Sequence, residues 1–344
     1  MQRPNPQGMT YFRPIAMTDA ARPAGALTLA GGWCWFDRVE ILQRGRSPLL
    51  GDLSDLTGDQ RKALSDPRAD FGGLVLSTPR IMGILNVTPD SFSDGGRFLA
   101  KGAALDQANA IISAADILDV GGESTRPGAV DVDKKQEIAR TAPVIAALRA
   151  AGNTSVVSID TRKADVAEAA LLAGASIVND VAALGYDPAM AAVVAGHGAP
   201  VILMHAQGAP SDMQNDPRYG DVALDVYDFL ADRIGFAVAA GIERARIAID
   251  PGIGFGKTQA HNLTLIRQIS LFHGLGCPIL LGASRKRFIG TISGTKDAGA
   301  RMPGSLAVAL AGVSQGVQIS RVHDAAETRQ AFALWCALNV GDIV

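Results

Sequence analysis

The stretch Ile81-Met-Gly-Ile-Leu-Asn-Val-Thr-Pro-Asp90 combines a short apolar run with a polar, turn-forming continuation. The run is typical of a buried strand, and it stops at Asn86, whose side chain both donates and accepts hydrogen bonds. The Gly95–Gly96 pair then indicates a loop, in which Phe92 is an unexpected aromatic residue. In barrel enzymes, a strand that is followed by such a loop forms one edge of the active site. Taken alone, this stretch would favour an ordinary strand and turn.

The same pattern recurs along the rest of the chain. A short apolar run ends in polar residues and is followed by a helix-length segment; the eight runs begin at Ile81, Ile117, Val156, Ile177, Val201, Ile247, Ile279 and Val317. Helical spacing is clearest in residues 136–150, 165–173, 224–240 and 327–338, and the first three segments end before a glycine, as left-handed caps prefer. Eight strand–helix units in roughly 260 residues predict a single (β/α)8 TIM barrel. A doubly wound open sheet, which has the same alternation, is the runner-up.

The motifs of nucleotide-binding folds are missing from the sequence. No GxGxxG follows a first strand with an acidic residue placed further along. The segment Gly252-Ile-Gly-Phe-Gly-Lys257 resembles a phosphate-binding P-loop, but Pro251 stands where that motif requires glycine. We therefore interpret the segment as a turn that follows a strand.

The composition excludes several classes of protein. With 48% hydrophobic and 19% charged residues, the chain has enough apolar side chains for a sizeable core. Its net charge of −2 and the lack of a basic stripe argue against nucleic-acid or membrane partners. Cys34, Cys277 and Cys336 are far apart and form no CxxC, which excludes a disulfide scaffold or a standard zinc site. This cysteine usage fits a reducing compartment and predicts a cytoplasmic protein.

Residues 1–79 differ from the remainder, because Pro, Gly, Arg and Asp are scattered through them without sustained periodicity. We predict an N-terminal extension here, with a short hairpin and a helix packed on a barrel formed by residues 80–344. Thr57 and Gln60 have the spacing of a capping box and predict the start of that helix. The cluster Trp33-Cys-Trp-Phe36 leaves a scaffold role for the extension open.

Polar residues at the predicted strand ends should converge, because all strand C-termini of a barrel meet at one face. The first group is Asp160, Asn179 and Asp250. Two carboxylates and an amide can serve as metal ligands, as an acid–base pair, or as hydrogen-bond partners of a flat nitrogen heterocycle. A carboxylate accepts two parallel N–H bonds from an amidine-like edge, so this group could recognise a pterin or purine edge.

The second group consists of cationic and anion-binding side chains: Ser124, Thr125, Arg126, Ser284, Arg285, Lys286, Arg321 and His323. So many donors at one rim of a nearly neutral protein indicate an anionic group such as a phosphate. We interpret Arg162, Lys163 and Arg287 as solvated surface residues. For His205 a structural role in the interior is at least as good an interpretation as a catalytic one, and Glu123 is expected to order its loop.

Eight segments in this order resemble the dihydropteroate synthase family: residues 82–96, 117–129, 158–161, 178–181, 203–208, 250–257, 284–286 and 321–324. The resemblance runs from Met82 nearly to the C-terminus. It implies a pterin-binding barrel and a transferase of folate biosynthesis. Such an enzyme condenses 7,8-dihydropterin-6-ylmethyl diphosphate with 4-aminobenzoate to give dihydropteroate and diphosphate. The resemblance also implies Mg²⁺ as a cofactor and a homodimer.

The resemblance further implies roles for individual residues. Those that hold the pterin ring are Asp160, Asn179, Asp250 and Lys286, and Phe255 is counted with the substrate-binding residues. Those that meet the diphosphate are Asn86, which also binds Mg²⁺, together with Thr125, Arg126, Arg321 and His323. Those that line the aminobenzoate pocket are Phe92, Pro127 and Ser284. The residues expected to act in catalysis are Lys286, Asp160, Asp250, Arg321 and His323, and residues 90–96 are expected to form a mobile lid.

Two other functions share some of these features. A methyltetrahydrofolate-dependent methyltransferase would also use a pterin-binding barrel, but it would not need Ser284, Arg285 and Lys286 beside a diphosphate. A pterin-binding paralogue without turnover would keep the pterin residues and lose diphosphate release.

Overall fold

The computed structural model describes residues 8–87, 97–124, 131–208 and 213–340, with side chains from residue 102 onward in the second range. At its centre eight parallel strands follow one another around a barrel in the order β11-β10-β9-β8-β7-β6-β13-β12. Their bounds are β6 Arg80–Asn86, β7 Ile117–Gly121, β8 Val156–Asp160, β9 Ile177–Asp180, β10 Val201–Met204, β11 Ile247–Asp250, β12 Leu280–Leu281 and β13 Ile319–Val322. The two ends of this sheet meet where the amide of Ile249 donates to the carbonyl of Pro278 at 2.9 Å. The predicted (β/α)8 barrel is therefore confirmed, and the open doubly wound sheet is not adopted.

Helices follow the strands and cover the outside of the barrel. They are α2 Arg97–Ile112, α3 Lys134–Ala150, α4 Ala164–Leu172, α5 Met190–His197, α6 Val222–Ala239, α7 Gln259–Arg267, α8 Arg287–Ser293, α9 Met302–Val313 and α10 Ala325–Asn339. Glycine follows several of them in the left-handed region, with φ of +79° at Gly152, +107° at Gly174 and +95° at Gly241. These three glycines were predicted as helix ends.

Residues 8–79, before the barrel, form two small antiparallel sheets, one turn of 3-10 helix at Leu53–Asp55 and one α-helix. The strands and the α-helix are β1 Thr10–Pro14, β2 Leu27–Thr28, β3 Trp35–Phe36, β4 Arg38–Gln43, β5 Leu49–Asp52 and α1 Gly58–Ser65. Strand β2 pairs with β3, while β4 lies between β1 and β5. At the start of α1, the side chains of Thr57 and Gln60 each accept a hydrogen bond from the other's backbone amide, as the capping-box pattern predicted.

Apolar side chains join this segment to the helices near the end of the chain. Trp33, Phe36 and Leu64 pack in one buried cluster with Val313 of α9 and Phe332 of α10. The indole nitrogen of Trp33 also donates to the carbonyl of Val313 at 2.8 Å. Burial of several large side chains, each worth roughly 1.5–3 kcal/mol, anchors the segment to the barrel.

The end of the barrel at which the strands begin is closed by a tight turn. Phe71 and Leu74 exchange two backbone hydrogen bonds around Gly72 and Gly73, both of which have positive φ. The ring of Phe71 is fully buried. It packs with Leu76 and with the first inward-facing residues of the strands, which are Met82, Ile117, Ile177, Ile202, Ala248, Leu280 and Ile319. This end of the barrel is therefore filled with apolar side chains.

Candidate active site

At the opposite end, three of the predicted site residues lie side by side in the sheet. Asn86 is in register with Gly121, which is in register with Asp160, which in turn is in register with Asn179. A Cβ at Gly121 would lie 3.7 Å from both the amide oxygen of Asn86 and Oδ2 of Asp160. The missing side chain at Gly121 therefore keeps open the space between these two polar groups.

Arg321 connects the two groups of polar residues that the sequence separated by charge. Its Nε donates to Asp119 at 2.6 Å, and Nη2 donates to Asp160 at 2.7 Å. The amide nitrogen of Asn179 donates to the same oxygen of Asp119 at 3.2 Å. Arg321 lies within β13 rather than after it, and its long side chain reaches across the barrel to these carboxylates. Residues predicted for the pterin and residues predicted for the diphosphate are therefore in direct contact.

The carboxylates of Asp119 and Asp160 are buried, and each keeps one oxygen without a partner among the described residues. Burial raises the pKa of Asp160 to about 7, against the lowering effect of Arg321 and with a further increase from Asp119. Burial of Arg321 by itself would lower its pKa, but the two carboxylates reverse that effect and raise it. Unpartnered buried acceptors are costly to a folded protein and are typical of binding sites.

Asp250 occupies the end of β11, where a backbone amide fixes its orientation. One oxygen accepts from the amide of Gly252 at 2.7 Å. The other lies close to Gly282, at which a Cβ would stand 3.4 Å from the carboxylate and 3.9 Å from Cβ of Arg321. Burial raises the pKa of Asp250, while the Gly252 amide and nearby Lys286 oppose the increase. Asp250 and Arg321 therefore border the same opening.

The turn after β11 passes very close to the loop after β10. A Cβ at Gly252, which has φ +70°, would lie 1.8 Å from the carbonyl oxygen of His205, so only glycine fits. The turn carries Phe255, and the ammonium of Lys286 lies 4.0 Å from the centre of that ring. This distance is within the range of a cation–π contact. The segment is a turn after a strand, as predicted.

Lys257 and His205 form a buried pair beneath this turn. Nζ of Lys257 lies 2.9 Å from Nδ1 of His205 and also donates to the carbonyls of His205 and Phe255. Burial lowers the pKa of Lys257 to about 7 and that of His205 well below its usual value. A neutral imidazole that accepts through Nδ1 carries its proton on Nε2. Of the two interpretations left open for His205, the contacts support the structural one.

The loop after β12 presents Ser284 and Lys286 from a strained backbone. Arg285, between them, has φ +57°, an uncommon value for a residue with a side chain. Its guanidinium donates to Asp324 at 3.1 and 2.5 Å, and its amide donates to the hydroxyl of Ser305 at 2.8 Å. Arg285 is therefore a structural residue of this loop, and it allows its two neighbours to face the site.

Ser284 and His323 are brought together across neighbouring strands. The hydroxyl of Ser284 lies 3.0 Å from Nδ1 of His323 and accepts from the His323 amide at 3.2 Å. Ser284 was predicted on the aminobenzoate side and His323 on the diphosphate side. Their contact places both at the same part of the rim.

The interpretation of Arg162 and Lys163 as solvated surface residues was wrong. The ammonium of Lys163 is buried and lies 2.8 Å from Glu137, whose side chain is completely inaccessible. Arg162 lies 3.4 Å from Glu123, which in turn accepts from the amide of Val132. The sequence could not reveal this because the buried carboxylate comes from a neighbouring helix. Arg287 is exposed, as predicted. Of the loop that Glu123 was expected to order, the described contact is the hydrogen bond from the Val132 amide to Glu123 at 3.0 Å.

Asp119 and Lys257 also lie within the site, although the sequence pattern predicted no role for either residue. A carboxylate in the middle of the apolar run Ile117–Val120 was the available signal for Asp119. Four other predicted site residues, Phe92, Thr125, Arg126 and Pro127, lie outside the described residues, as does the predicted lid of residues 90–96.

Within the described ranges, no three His, Cys, Asp or Glu side chains are grouped so that they could hold a metal ion. No helix in those ranges is long and apolar enough to cross a membrane. A cleft of about 520 Å³ lies beside Gly72 and Gly73, near the closed end of the barrel. Its lining includes Asp70, His197 and Arg246 but none of the predicted site residues.

Comparisons with known proteins agree with this geometry. The family model described as pterin binding enzyme matches residues 82–323. A dihydropteroate synthase of Neisseria meningitidis serogroup C is 46% identical over 269 residues, which are 77% of this chain and 94% of that protein. The dihydropteroate synthase of Escherichia coli K12 is 44% identical over 260 residues, which are 75% and 91% of the two chains.

Solved structures of dihydropteroate synthases are also similar to this chain. The Xanthomonas albilineans dihydropteroate synthase with 4-aminobenzoic acid superimposes with a TM-score of 0.74 at 44% identity, covering 79% of this chain and 98% of that one. The same enzyme in complex with 7,8-dihydropteroate gives a TM-score of 0.71 at 41% identity, with the same coverage.

Proposed function

Since this chain belongs to the dihydropteroate synthase family of pterin-binding enzymes, we propose how its own residues divide the work of that reaction. The chain is a transferase that condenses 7,8-dihydropterin-6-ylmethyl diphosphate with 4-aminobenzoate, giving dihydropteroate and diphosphate for folate biosynthesis. The proposal rests above all on one observation: Arg321 joins two buried carboxylates, beside Asn179, at the open end of the barrel.

The pterin ring is bound by Asp160, Asn179, Asp250 and Lys286, with Phe255 among the substrate-binding residues. A pterin offers neighbouring N–H donors and a ring nitrogen along one edge, and buried carboxylates and an amide are the matching partners. Asp119 and Asp160 each have an oxygen without a partner among the residues that the structure describes, which supports this assignment because a bound donor would satisfy it. Lys286, held over Phe255, supplies a donor on the other side of the ring. We add Asp119 to this set, because it fixes both Arg321 and Asn179.

The diphosphate is bound by Asn86, Arg321 and His323, with Thr125 and Arg126 from the neighbouring loop. Arg321 offers five N–H donors in a planar fork, and two of its nitrogens already contact carboxylates. These contacts hold the guanidinium in place before any anion arrives. Preorganised positive charge is an effective way to stabilise a leaving anion.

Mg²⁺ is the cofactor that we propose for the diphosphate end. A Mg²⁺ site needs few protein ligands, since the ion keeps several waters and binds substrate phosphates. The amide oxygen of Asn86, at the end of β6 and beside the open space at Gly121, suits such a site. When bound, the ion would supply positive charge that neutralises the departing diphosphate.

The chemical step needs no strong base. An aryl amine is neutral and nucleophilic near pH 7, so the difficult event is departure of diphosphate from the methylene carbon. We propose that departure precedes attack: the C–O bond breaks, and its electron pair leaves with the diphosphate beside Arg321 and His323. The electron-rich dihydropterin, flanked by Asp160 and Asp250, spreads the positive charge left on the methylene. The amine then forms the C–N bond and releases one proton.

The aminobenzoate is bound by Phe92, Pro127 and Ser284. The contact of Ser284 with His323 supports this placement, because it puts the second substrate next to the departing group. We propose a homodimer, which the family resemblance predicts and which light scattering would test. We also propose a cytoplasmic location, because the three cysteines are free and buried, as expected in a reducing compartment.

A diphosphate-release assay tests the function directly. With the pterin diphosphate, Mg²⁺ and 4-aminobenzoate all present, diphosphate should appear together with dihydropteroate, and omission of any one should stop product formation. Tight binding of the pterin diphosphate in calorimetry without aminobenzoate-dependent release would instead identify a binding protein without turnover. Methyl transfer from methyltetrahydrofolate, measured in parallel, would point to the methyltransferase alternative.

A further inference from the structure

The segment before the barrel has a polar contact with the catalytic face that lies outside the family match. Arg44 follows β4 in a turn in which Gly45 has φ +71°. The family match begins at Met82, and the Neisseria relative is matched over 94% of its own length. Little of that relative's chain therefore remains to provide a counterpart of residues 8–79.

Arg44 binds two carboxylates near the start of α6. Its Nη1 donates to Asp225 at 2.5 Å and its Nη2 donates to Asp228 at 2.7 Å. The side chain of Arg44 is only 16% exposed, so solvent screens these ion pairs less than it would screen pairs at an open surface. Tyr11 of β1 donates to the same Asp228 at 2.9 Å. Asp228 thus binds the N-terminal segment through both Arg44 and Tyr11, whereas Asp225 binds it through Arg44.

Asp225 transmits this contact to the loop that precedes α6. Its second oxygen accepts from the amide of Gly220 at 2.8 Å and from the amide of Asp221 at 3.3 Å. Asp221 in turn caps α6 by accepting from the amides of Ala223 and Leu224. One carboxylate therefore holds Arg44 on one side and the backbone of the loop on the other.

That loop supports the turn which carries Phe255. The hydroxyl of Tyr219 donates to the carbonyl of Gly256 at 2.7 Å, and the side-chain Nε2 of Gln214 donates to the carbonyl of Gly254 at 2.6 Å. Tyr219 also packs against His205, with 5.9 Å between ring centres. Together these residues bind the carbonyls on both sides of Phe255, the residue over which Lys286 lies.

We propose that the N-terminal segment helps to shape the pterin site, and that Arg44 is a positioning residue which acts through Asp225, Gly220 and Tyr219 on the turn at Phe255. This inference rests on the proposed function of that turn in pterin binding. It makes Arg44 a determinant of affinity for the pterin diphosphate, although the residue touches no substrate.

The test is Arg44→Met in the full chain. We expect KM for the pterin diphosphate to rise about five- to tenfold, less than the roughly 10–100-fold of losing a charge-assisted contact to the substrate itself, while kcat and KM for 4-aminobenzoate at saturating pterin diphosphate stay unchanged. Hydrogen exchange should become faster in residues 213–221 and 252–257 and stay unchanged in β7 and β8. Arg44→Lys can satisfy only one carboxylate, so its KM for the pterin diphosphate should lie between those of the wild type and Arg44→Met. This variant replaces Arg44→Met in the test if the Met variant is too unstable to assay.

Two matched controls separate positioning from general stability. Arg13→Gln removes an ion pair to Glu40 inside the same small sheet and should leave KM and exchange unchanged. Asp228→Asn weakens the attachment of the N-terminal segment but leaves the contact between Arg44 and Asp225. It should therefore lower Tm while raising KM for the pterin diphosphate only slightly. The inference would be overturned if Arg44→Met changed neither KM for the pterin diphosphate nor hydrogen exchange. It would also be overturned if Arg13→Gln changed these two quantities as much as Arg44→Met does. A wild-type protein that releases no diphosphate would refute the proposed function, while the exchange experiment would still decide whether Arg44 orders the loop.

Discussion

The two ends of the barrel are made by the same eight strands, but they are chemically opposite. Where the strands begin, Phe71 and Leu76 pack among apolar side chains and fill the interior. Where the strands end, the buried carboxylates of Asp119 and Asp160 contact the half-buried Arg321, and each carboxylate has an oxygen without a partner in the described part of the chain. The first arrangement stabilises the fold by burial of apolar surface, and the second is unfavourable unless a ligand satisfies it.

Substitutions at the apolar end should therefore affect stability, and substitutions at the polar end should affect activity. Loss of a side chain at the apolar end leaves a cavity, which the surrounding strands cannot fill. Loss of a side chain at the polar end removes a contact that matters for the substrate, and it can even relieve an unfavourable burial of charge. The substitutions below test this separation.

The largest effect is expected at the apolar end. Phe71→Ala should lower the free energy of unfolding by about 3–5 kcal/mol, because it leaves a large cavity among seven strands. Well below its lowered Tm the variant should retain normal kcat and KM. Urea titration and a steady-state assay at low temperature measure the two quantities. Leu50→Ala, at a side chain that is 66% exposed, is the control and should change little. A folded Phe71→Ala with strongly reduced kcat would contradict the separation of the two ends.

Substitutions at the polar end should reduce turnover and have little effect on stability. Lys286→Ala or Asp160→Ala is expected to lower turnover by roughly 10²–10³-fold, since in the proposed assignment each residue makes an electrostatic contact to the pterin. Tm should change far less than in Phe71→Ala. Arg287→Ala removes the neighbouring exposed cation and should leave turnover intact. Near-normal turnover in either site variant would remove that residue from the catalytic set.

A smaller effect should appear at Lys257, which is both buried and part of the polar end. Its pKa is lowered from 10.5 to about 7, so the unfolded chain binds more protons than the folded protein between these pH values. The free energy of unfolding should therefore rise with pH through this window, by roughly 3 kcal/mol between pH 6.5 and 9.5. Urea titrations of wild type and Lys257→Met from pH 6.5 to 9.5 measure this increase, which the variant should lack. Lys135→Met, with an exposed ammonium, should keep the wild-type pH dependence; a parallel pH profile in Lys257→Met would mean that this ammonium is not buried in solution.

The sequence was sufficient for the barrel because its signal is local and repeated. Each strand is an apolar run that ends in polar residues, and parallel strands of a barrel bring those ends together. The convergence of Asp160, Asn179 and Asp250 could therefore be predicted from their positions alone. Their division into pterin and diphosphate roles came from the family resemblance, and it remains a proposal.

What the sequence could not supply depends on partners that are distant along the chain. Asp119 is 202 residues from Arg321, and nothing near either residue indicates that they pair. Lys163 looked like a surface cation because Glu137, its buried partner, belongs to another helix. The pairing of β1 with β4 was missed for the same reason, since Thr10 lies opposite Gln43 across a long connection. Side-chain pairing of this kind follows from the tertiary fold rather than from local pattern.

The hydrogen bond from Trp33 to Val313 has a consequence for how the protein is made. The two residues are 280 positions apart, so at 5–20 residues per second roughly 15–55 s pass between their synthesis. During this interval Trp33, Phe36 and Leu64 have no α9 or α10 to pack against. The segment that is translated before the barrel is therefore the last to be completed, and its aromatic cluster is the surface that a chaperone would meet on the nascent chain.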